Sequence, residues 1–142
     1  MTKLEHALAL AARGFRVFPI QPGAKAPPLL NGWPKRATSD PEEVRSFWMA
    51  VPEANIGISC EGMIVIDVDI KKGGHDSLLA LKLVHDLPET LCTITPSGGR
   101  HLFYRSASAV PNSVESLGAG IDVRSAGGYV VAPGSTTDAG QY

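Results

Sequence analysis

Two acids, one residue apart, end an apolar run in Met63-Ile64-Val65-Ile66-Asp67-Val68-Asp69-Ile70. The β-branched lead-in predicts a strand over residues 63–69. Strand side chains alternate between faces, so Ile64, Ile66, Val68 and Ile70 share one face and Met63, Val65, Asp67 and Asp69 the other. The two carboxylates then point the same way, about 6–7 Å apart at ~3.3 Å of rise per residue. Carboxylates this close need a counter-charge once they leave water. A divalent cation is the simplest one, because hard cations prefer oxygen ligands. Carboxylates that hold two cations ~3.5–4 Å apart are the basis of two-metal phosphoryl transfer. D-x-D is a short pattern, and by itself it also describes a strand end with two solvated acids.

A second constellation is Thr95-Pro96-Ser97-Gly98-Gly99-Arg100-His101. Two glycines let backbone N–H groups approach an anion closely. Ser97 adds a hydroxyl, Arg100 a guanidinium fork suited to phosphate, and His101 a donor or acid–base group. The set would cradle a triphosphate; equally, it would serve as a tight hairpin with an exposed Arg and a structural His. The third is Gly120-Ile121-Asp122-Val123-Arg124. Ile121 and Val123 are expected to face the core and Asp122 and Arg124 the other way, which makes Asp122 either a third carboxylate for metals or a surface residue.

Weaker candidates surround these. Lys71 and Lys72 follow the acidic pair and suit a phosphate or a solvated turn. Lys25, Trp33, Lys35 and Arg36 lie in one loop, where charge and stacking suit a single strand of nucleic acid; a loop with one packed Trp is the plain alternative. His6, His75 and His85 are expected on helix surfaces or caps. Cys60 and Cys92 form no CxxC pair and no zinc-type cluster, so they are expected to be reduced.

The elements that must position these residues are legible in outline. A helix is expected over residues 2–13, stopped by Gly14, then a strand over 15–20. Residues 21–35 are rich in Pro and Gly and predict a loop. Asp40-Pro41-Glu42-Glu43 is a helix start that runs to about Met49. Strands follow at 55–59 and 63–69, a basic glycine turn at 71–74, and a helix over 76–86 with Leu79 and Leu83 on its apolar stripe. Strands at 91–95 and 100–104 flank the glycine turn, and residues 110–120 are irregular. Strands at 120–124 and 129–132 are expected to pair around Gly127-Gly128. The pattern is α+β with a largely antiparallel sheet.

Bulk properties bound the function. A chain of 142 residues is large enough for a real core. Its mean hydropathy is +0.04, and no apolar run approaches the ~20 residues of a membrane span. The N-terminus lacks a signal-peptide pattern, so a cytoplasmic protein with no membrane partner is expected. A formal net charge of −1 is not the footprint of a strongly basic nucleic-acid binder. Two bound divalent cations would add about four positive charges and reverse that sign.

The ordered set of D-x-D, then S-G-G-R-H, then a hydrophobic residue followed by Asp122 resembles the bifunctional primase–polymerase N-terminal domain of the archaeo-eukaryotic primase superfamily. Framing stretches are similar too: Pro22-Gly23-Ala24-Lys25-Ala26-Pro27, Gly32-Trp33, Ala54-Asn55-Ile56-Gly57-Ile58 and Gly128-Tyr129-Val130-Val131-Ala132-Pro133-Gly134-Ser135. The likeness runs over residues 15–135. It implies template-directed nucleotidyl transfer in a replication protein, with Mg²⁺ or Mn²⁺ in a two-metal site. By its pattern Asp67, Asp69 and Asp122 are the catalytic metal ligands, His101 contacts the incoming triphosphate, and Ser97 and Arg100 touch phosphates. It further implies an RRM-like sheet with these residues on its open face, backed by helices, beside a small N-terminal α/β unit. The implied partners are single-stranded DNA template, primer, and NTP or dNTP. Related proteins often continue into a helicase, so residues 1–142 are expected to be a single catalytic domain open to truncation at its C-terminal end. Some relatives carry a zinc-binding insertion; ligands for one are missing here, and no zinc is expected.

Two other readings fit parts of the pattern. A D-x-D glycosyltransferase would use the acids for a metal and a nucleotide-sugar, but needs neither the second motif nor the third Asp in this order. A non-catalytic nucleic-acid-binding module on the same fold would not need intact acids. A two-histidine rolling-circle nickase is disfavoured, because Phe103 stands two residues after His101.

Overall fold

The computed structural model describes residues 1–108 and 110–142. Along the chain run α1 (Lys3–Ala12), β1 (Val17–Ile20), α2 (Trp33–Arg36), α3 (Pro41–Ala50), β2 (Asn55–Ser59), β3 (Met63–Val68), a 3₁₀ turn (Ile70–Lys72), α4 (Gly74–Val84), β4 (Cys92–Ile94), β5 (Arg100–Arg105), β6 (Ser113–Val114), β7 (Ile121–Arg124), β8 (Tyr129–Val131), β9 (Thr136–Thr137) and β10 (Gly140–Gln141). The fold is α+β, and its sheets are antiparallel. The residues gather into two compact units, Met1–Ser59 with Tyr129–Tyr142, and Cys60–Gly128. No helix among the described residues is long and apolar enough to cross a membrane.

The first unit is built on the sheet β1-β2-β8. Its two longer helices start where capping chemistry dictates. The Thr2 side chain accepts the Glu5 N–H while the Glu5 carboxylate accepts the Thr2 N–H, which satisfies two otherwise orphaned donors of α1. Asp40 caps α3 through the Glu43 N–H, with Pro41 next in the chain. Every residue of β1 and β2 is buried. Phe18 lies across Gly57, where a Cβ would fall 2.3 Å from the ring, so only glycine fits there. Trp33 stacks on Phe18 at 4.6 Å between centroids, and Tyr129 meets both rings edge-on. The Pro/Gly-rich stretch therefore ends in the short helix α2, and Trp33 is a packing residue of this unit.

The second unit is a five-stranded sheet in the order β4-β5-β3-β7-β6 with α4 against one face. β3, α4 and β4 make a split β-α-β unit, with β5 returning between the two strands. Ile66, Val68, Leu102 and Ile121 meet Leu78 of the helix, with Leu81 packed beside them. This differs from the expected stripe: Leu79 and Leu83 are 49% and 89% exposed. The helix is apolar around most of its circumference, so sequence periodicity did not single out the buried side.

Two other expectations are corrected. β7 and β8 do not pair around Gly127-Gly128. β7 pairs with β3 and β6, and β8 pairs with β2 in the other unit's sheet. Strand β3 ends at Val68, one residue early, because Asp69 caps the 3₁₀ turn through the Lys71 N–H at 3.0 Å.

Candidate active site on the five-stranded sheet

The register of three strands builds the site. Asp67 of β3 stands directly opposite His101 of β5 on one side and Asp122 of β7 on the other. Directly opposed residues of an antiparallel sheet share a face, with Cβ atoms roughly 4.5–5.5 Å apart. Asp122, Asp67 and His101 thus form one row on the face opposite α4, and Thr93 of β4 extends it beyond His101. The next row places Val65 between Arg124 and Phe103. Ile64, Ile66 and Val68 form the helix-packed face of the same strand, while Met63 and the fully buried Val65 share the acid face, as alternation requires.

Each acid has its own local partner. His101 Nε2 lies 3.5 Å from Asp67 Oδ1; the His side chain is 6% exposed and that of Asp67 29%. The imidazole packs edge-on near Phe103. Asp122 Oδ1 accepts the Glu115 N–H at 3.2 Å, and Oδ2 lies 3.5 Å from Arg124 Nη2. Glu115 reaches this position with φ of 53°, a left-handed conformation unusual for a residue with a side chain. Its carboxylate also accepts the Gly120 N–H at 3.1 Å.

Asp69 is fixed through its backbone. Its N–H donates to Gly120 O at 2.7 Å, and its carbonyl accepts the Gly74 N–H at 2.8 Å. The three chain segments approach so closely that a Cβ at Gly74 would lie 2.6 Å from Asp69 O and 2.8 Å from Gly120 O. A Cβ at Gly120 would lie 2.5 Å from Gly74 N. The two glycines let β3, β7 and the start of α4 meet at the acid.

The glycine turn takes a defined form. Thr95 O accepts the Gly98 N–H and Gly99 O accepts the Thr95 N–H, both at 2.9 Å. Gly98 has φ of 84°, so the hairpin is a turn followed by a left-handed bulge residue. Gly99 presses against β3, where a Cβ would fall 2.3 Å from Val68 O. Ser97 is exposed at the tip.

Of the six residues singled out from the sequence, Asp67, Asp122 and His101 come together in one row, Asp69 follows at the strand end, and Ser97 lies in the adjoining turn. Arg100 does not join them. It stands opposite Val68 and Ile94, which gives it the α4 side of the sheet, and it is solvent-exposed there. Arg124, opposite Val65, is the guanidinium one row from Asp67 on the acid face. Alternation in residues 120–124 already gave it the same side as Asp122, but no role. Glu115 had no sequence signal at all.

The donors suit a hard divalent cation: they are carboxylate oxygens, and two of them oppose each other as like charges, which is destabilising without a counter-charge. Among the described residues, no three His, Cys, Asp or Glu side chains already converge on one metal position. The acids are turned to His101, Arg124 and the amides of Glu115 and Lys71 instead. The profile of the family described as bifunctional DNA primase/polymerase, N-terminal (Prim-Pol), matches residues 7–142. No curated protein matches the chain.

Proposed function

The chain belongs to the bifunctional DNA primase/polymerase N-terminal family, and on that premise we propose that the acid face of its five-stranded sheet performs metal-dependent, template-directed nucleotidyl transfer. The observation that carries this is the cross-strand row Asp122–Asp67–His101, with Asp69 fixed at the end of β3. Asp67, Asp69 and Asp122 are the ligands for Mg²⁺ or Mn²⁺. Bound there, the cations supply positive charge for the attacking hydroxyl and for the phosphate at which charge builds.

The protein's own groups do the rest. His101 orients Asp67 through Nε2, and by the family pattern it is the residue that contacts the triphosphate. Ser97, exposed at the hairpin tip, offers a hydroxyl to the same phosphates. The buried apolar layer under the row holds the acids in register, so little reorganisation is needed as charge develops. The partners in this reading are a single-stranded DNA template, a primer, and NTP or dNTP, with a helicase acting alongside. A glycosyltransferase has no use for the His101–Asp67 pairing and draws no support from the family.

Thermal unfolding tests the metal assignment. Mn²⁺ with a nucleoside triphosphate should raise the melting temperature of the wild type, and Asp67→Ala with Asp69→Ala should abolish the rise. An unchanged rise in the double variant removes the metal from these acids.

A further inference from the structure

We propose that Arg124 is the guanidinium that receives the phosphates of the incoming nucleotide, and that Asp122 holds it back until a cation takes the carboxylate. The inference rests on the metal-dependent reading of the site. Arg124 is two residues from Asp122 on β7 and opposite Val65 on β3, which puts it on the acid face one row from Asp67. Its side chain is 38% exposed, so the fork reaches solvent above that face. A guanidinium presents paired donors that match phosphate oxygens. The alternatives are less well placed. Arg100 belongs to the opposite face, and Arg105 stands opposite Met63, four residues along β5 from His101, or roughly 13 Å at ~3.3 Å per residue.

The two partners of Asp122 differ in kind. The Glu115 amide is neutral, is part of the backbone, and donates to Oδ1. The Arg124 fork is a side-chain cation, 38% exposed, near Oδ2 at 3.5 Å. A divalent cation on Asp122 competes with the guanidinium for the carboxylate charge and leaves the amide contact in place. Freed from Asp122, the guanidinium is a cation one row from Asp67, and a polyphosphate is an anion it can meet there. Cation and nucleotide binding are thereby coupled through one side chain.

Calorimetric titration with inorganic tripolyphosphate, first without divalent cation, tests the restraint. Asp122→Asn keeps the shape of the side chain but removes its charge, so it should bind tripolyphosphate more tightly than the wild type. Adding Arg124→Ala should cancel the gain. The double variant has the net charge of the wild type, so a gain that survives in it does not run through Arg124 and overturns the proposal, as does no gain in folded Asp122→Asn. Arg124→Gln, which retains a polar side chain of similar length, replaces Arg124→Ala if circular dichroism shows that the alanine variant is unfolded.

The second arm uses Ca²⁺ and a nucleoside triphosphate, read as binding, together with primer extension in Mn²⁺. Arg124→Ala should weaken nucleotide binding in Ca²⁺ on the order of tenfold or more and raise the nucleotide KM more than it lowers kcat. Arg124→Lys should recover part of the loss. The effect should exceed that of Arg100→Ala; the reverse order overturns the assignment. If the wild type itself gains no nucleotide affinity from Ca²⁺ or Mn²⁺, the metal-dependent reading fails. If it gains affinity that Arg124→Ala leaves intact, only the role of Arg124 fails.

Discussion

The two sheets of this protein treat their faces differently. In the first unit, β1 and β2 are buried at every position, with Phe18, Ile20 and Val131 packed under Leu30, Trp33 and Tyr129. In the second, burial alternates along β7, and Asp67 interrupts it in β3. One face there meets α4; the other carries a row of carboxylates and an imidazole. A strand closed on both sides has no room for chemistry, whereas one that alternates can present polar groups from a rigid apolar base. The first unit buries β1 and β2 throughout, and the second holds the partly exposed acids of the candidate site.

The sharpest way to strain that contrast is to damage the packed face under the site. Leu78→Ala removes the helix residue that meets Ile66, Val68, Leu102 and Ile121, and should cost about 2–5 kcal/mol in denaturant unfolding. If the loss were under ~0.5 kcal/mol, the helix-packed face would not be the core of the second unit.

Glycine substitutions compare the units directly. Gly57→Ala sets a Cβ into the fully buried Phe18 ring, and Gly74→Ala sets one against the backbone carbonyls of Asp69 and Gly120. Each should cost about 1–3 kcal/mol by overpacking. Only Gly74→Ala should also lower nucleotidyl transfer per folded molecule, since it displaces Asp69. Equal activity losses in the two variants would erase the functional distinction between the units.

A smaller effect comes from the first residue of the second unit. Burial pushes the Cys60 thiol up to about 12 from 9.0, with Arg124 acting in the opposite direction. The folded protein keeps this proton where the unfolded chain has lost it. The stabilisation is therefore intact below about pH 9 and declines as pH rises from there toward 12. Between pH 8 and pH 10, wild type should lose about 1 kcal/mol more than Cys60→Ala in urea melts. Identical pH slopes would mean that the thiol is not held protonated by burial. Exposed Cys92 should react with a thiol reagent well before Cys60 does.

Much of the site was legible because the side-chain period of a strand is two. That rule put Asp67 on the face opposite Ile66 and Val68, and put Asp122 and Arg124 together. The same rule, applied to residues 100–104, separates Arg100 from His101; reading the motif as one phosphate cradle concealed this. Local pattern did not reveal which strands would pair. β7 and β8 are near neighbours in sequence but enter different sheets, because their partners β3 and β2 lie far back in the chain. The end of β3 was misjudged by one residue because capping of the 3₁₀ turn by Asp69 competes with continuing the strand. Glu115 was invisible because its left-handed conformation is imposed by the surrounding contacts; the residue type does not favour it.

The central claim is that the row of acids on the sheet face opposite α4 carries the chemistry. Primer extension on a single-stranded DNA template, with Mn²⁺ and either NTPs or dNTPs, tests it most directly when wild type is run beside Asp67→Asn/Asp122→Asn. Wild type should extend the primer. The variant should lose at least about a thousandfold in rate while keeping the wild-type circular dichroism spectrum. Extension by the variant at the wild-type rate, or none by wild type with either nucleotide set, would contradict the account.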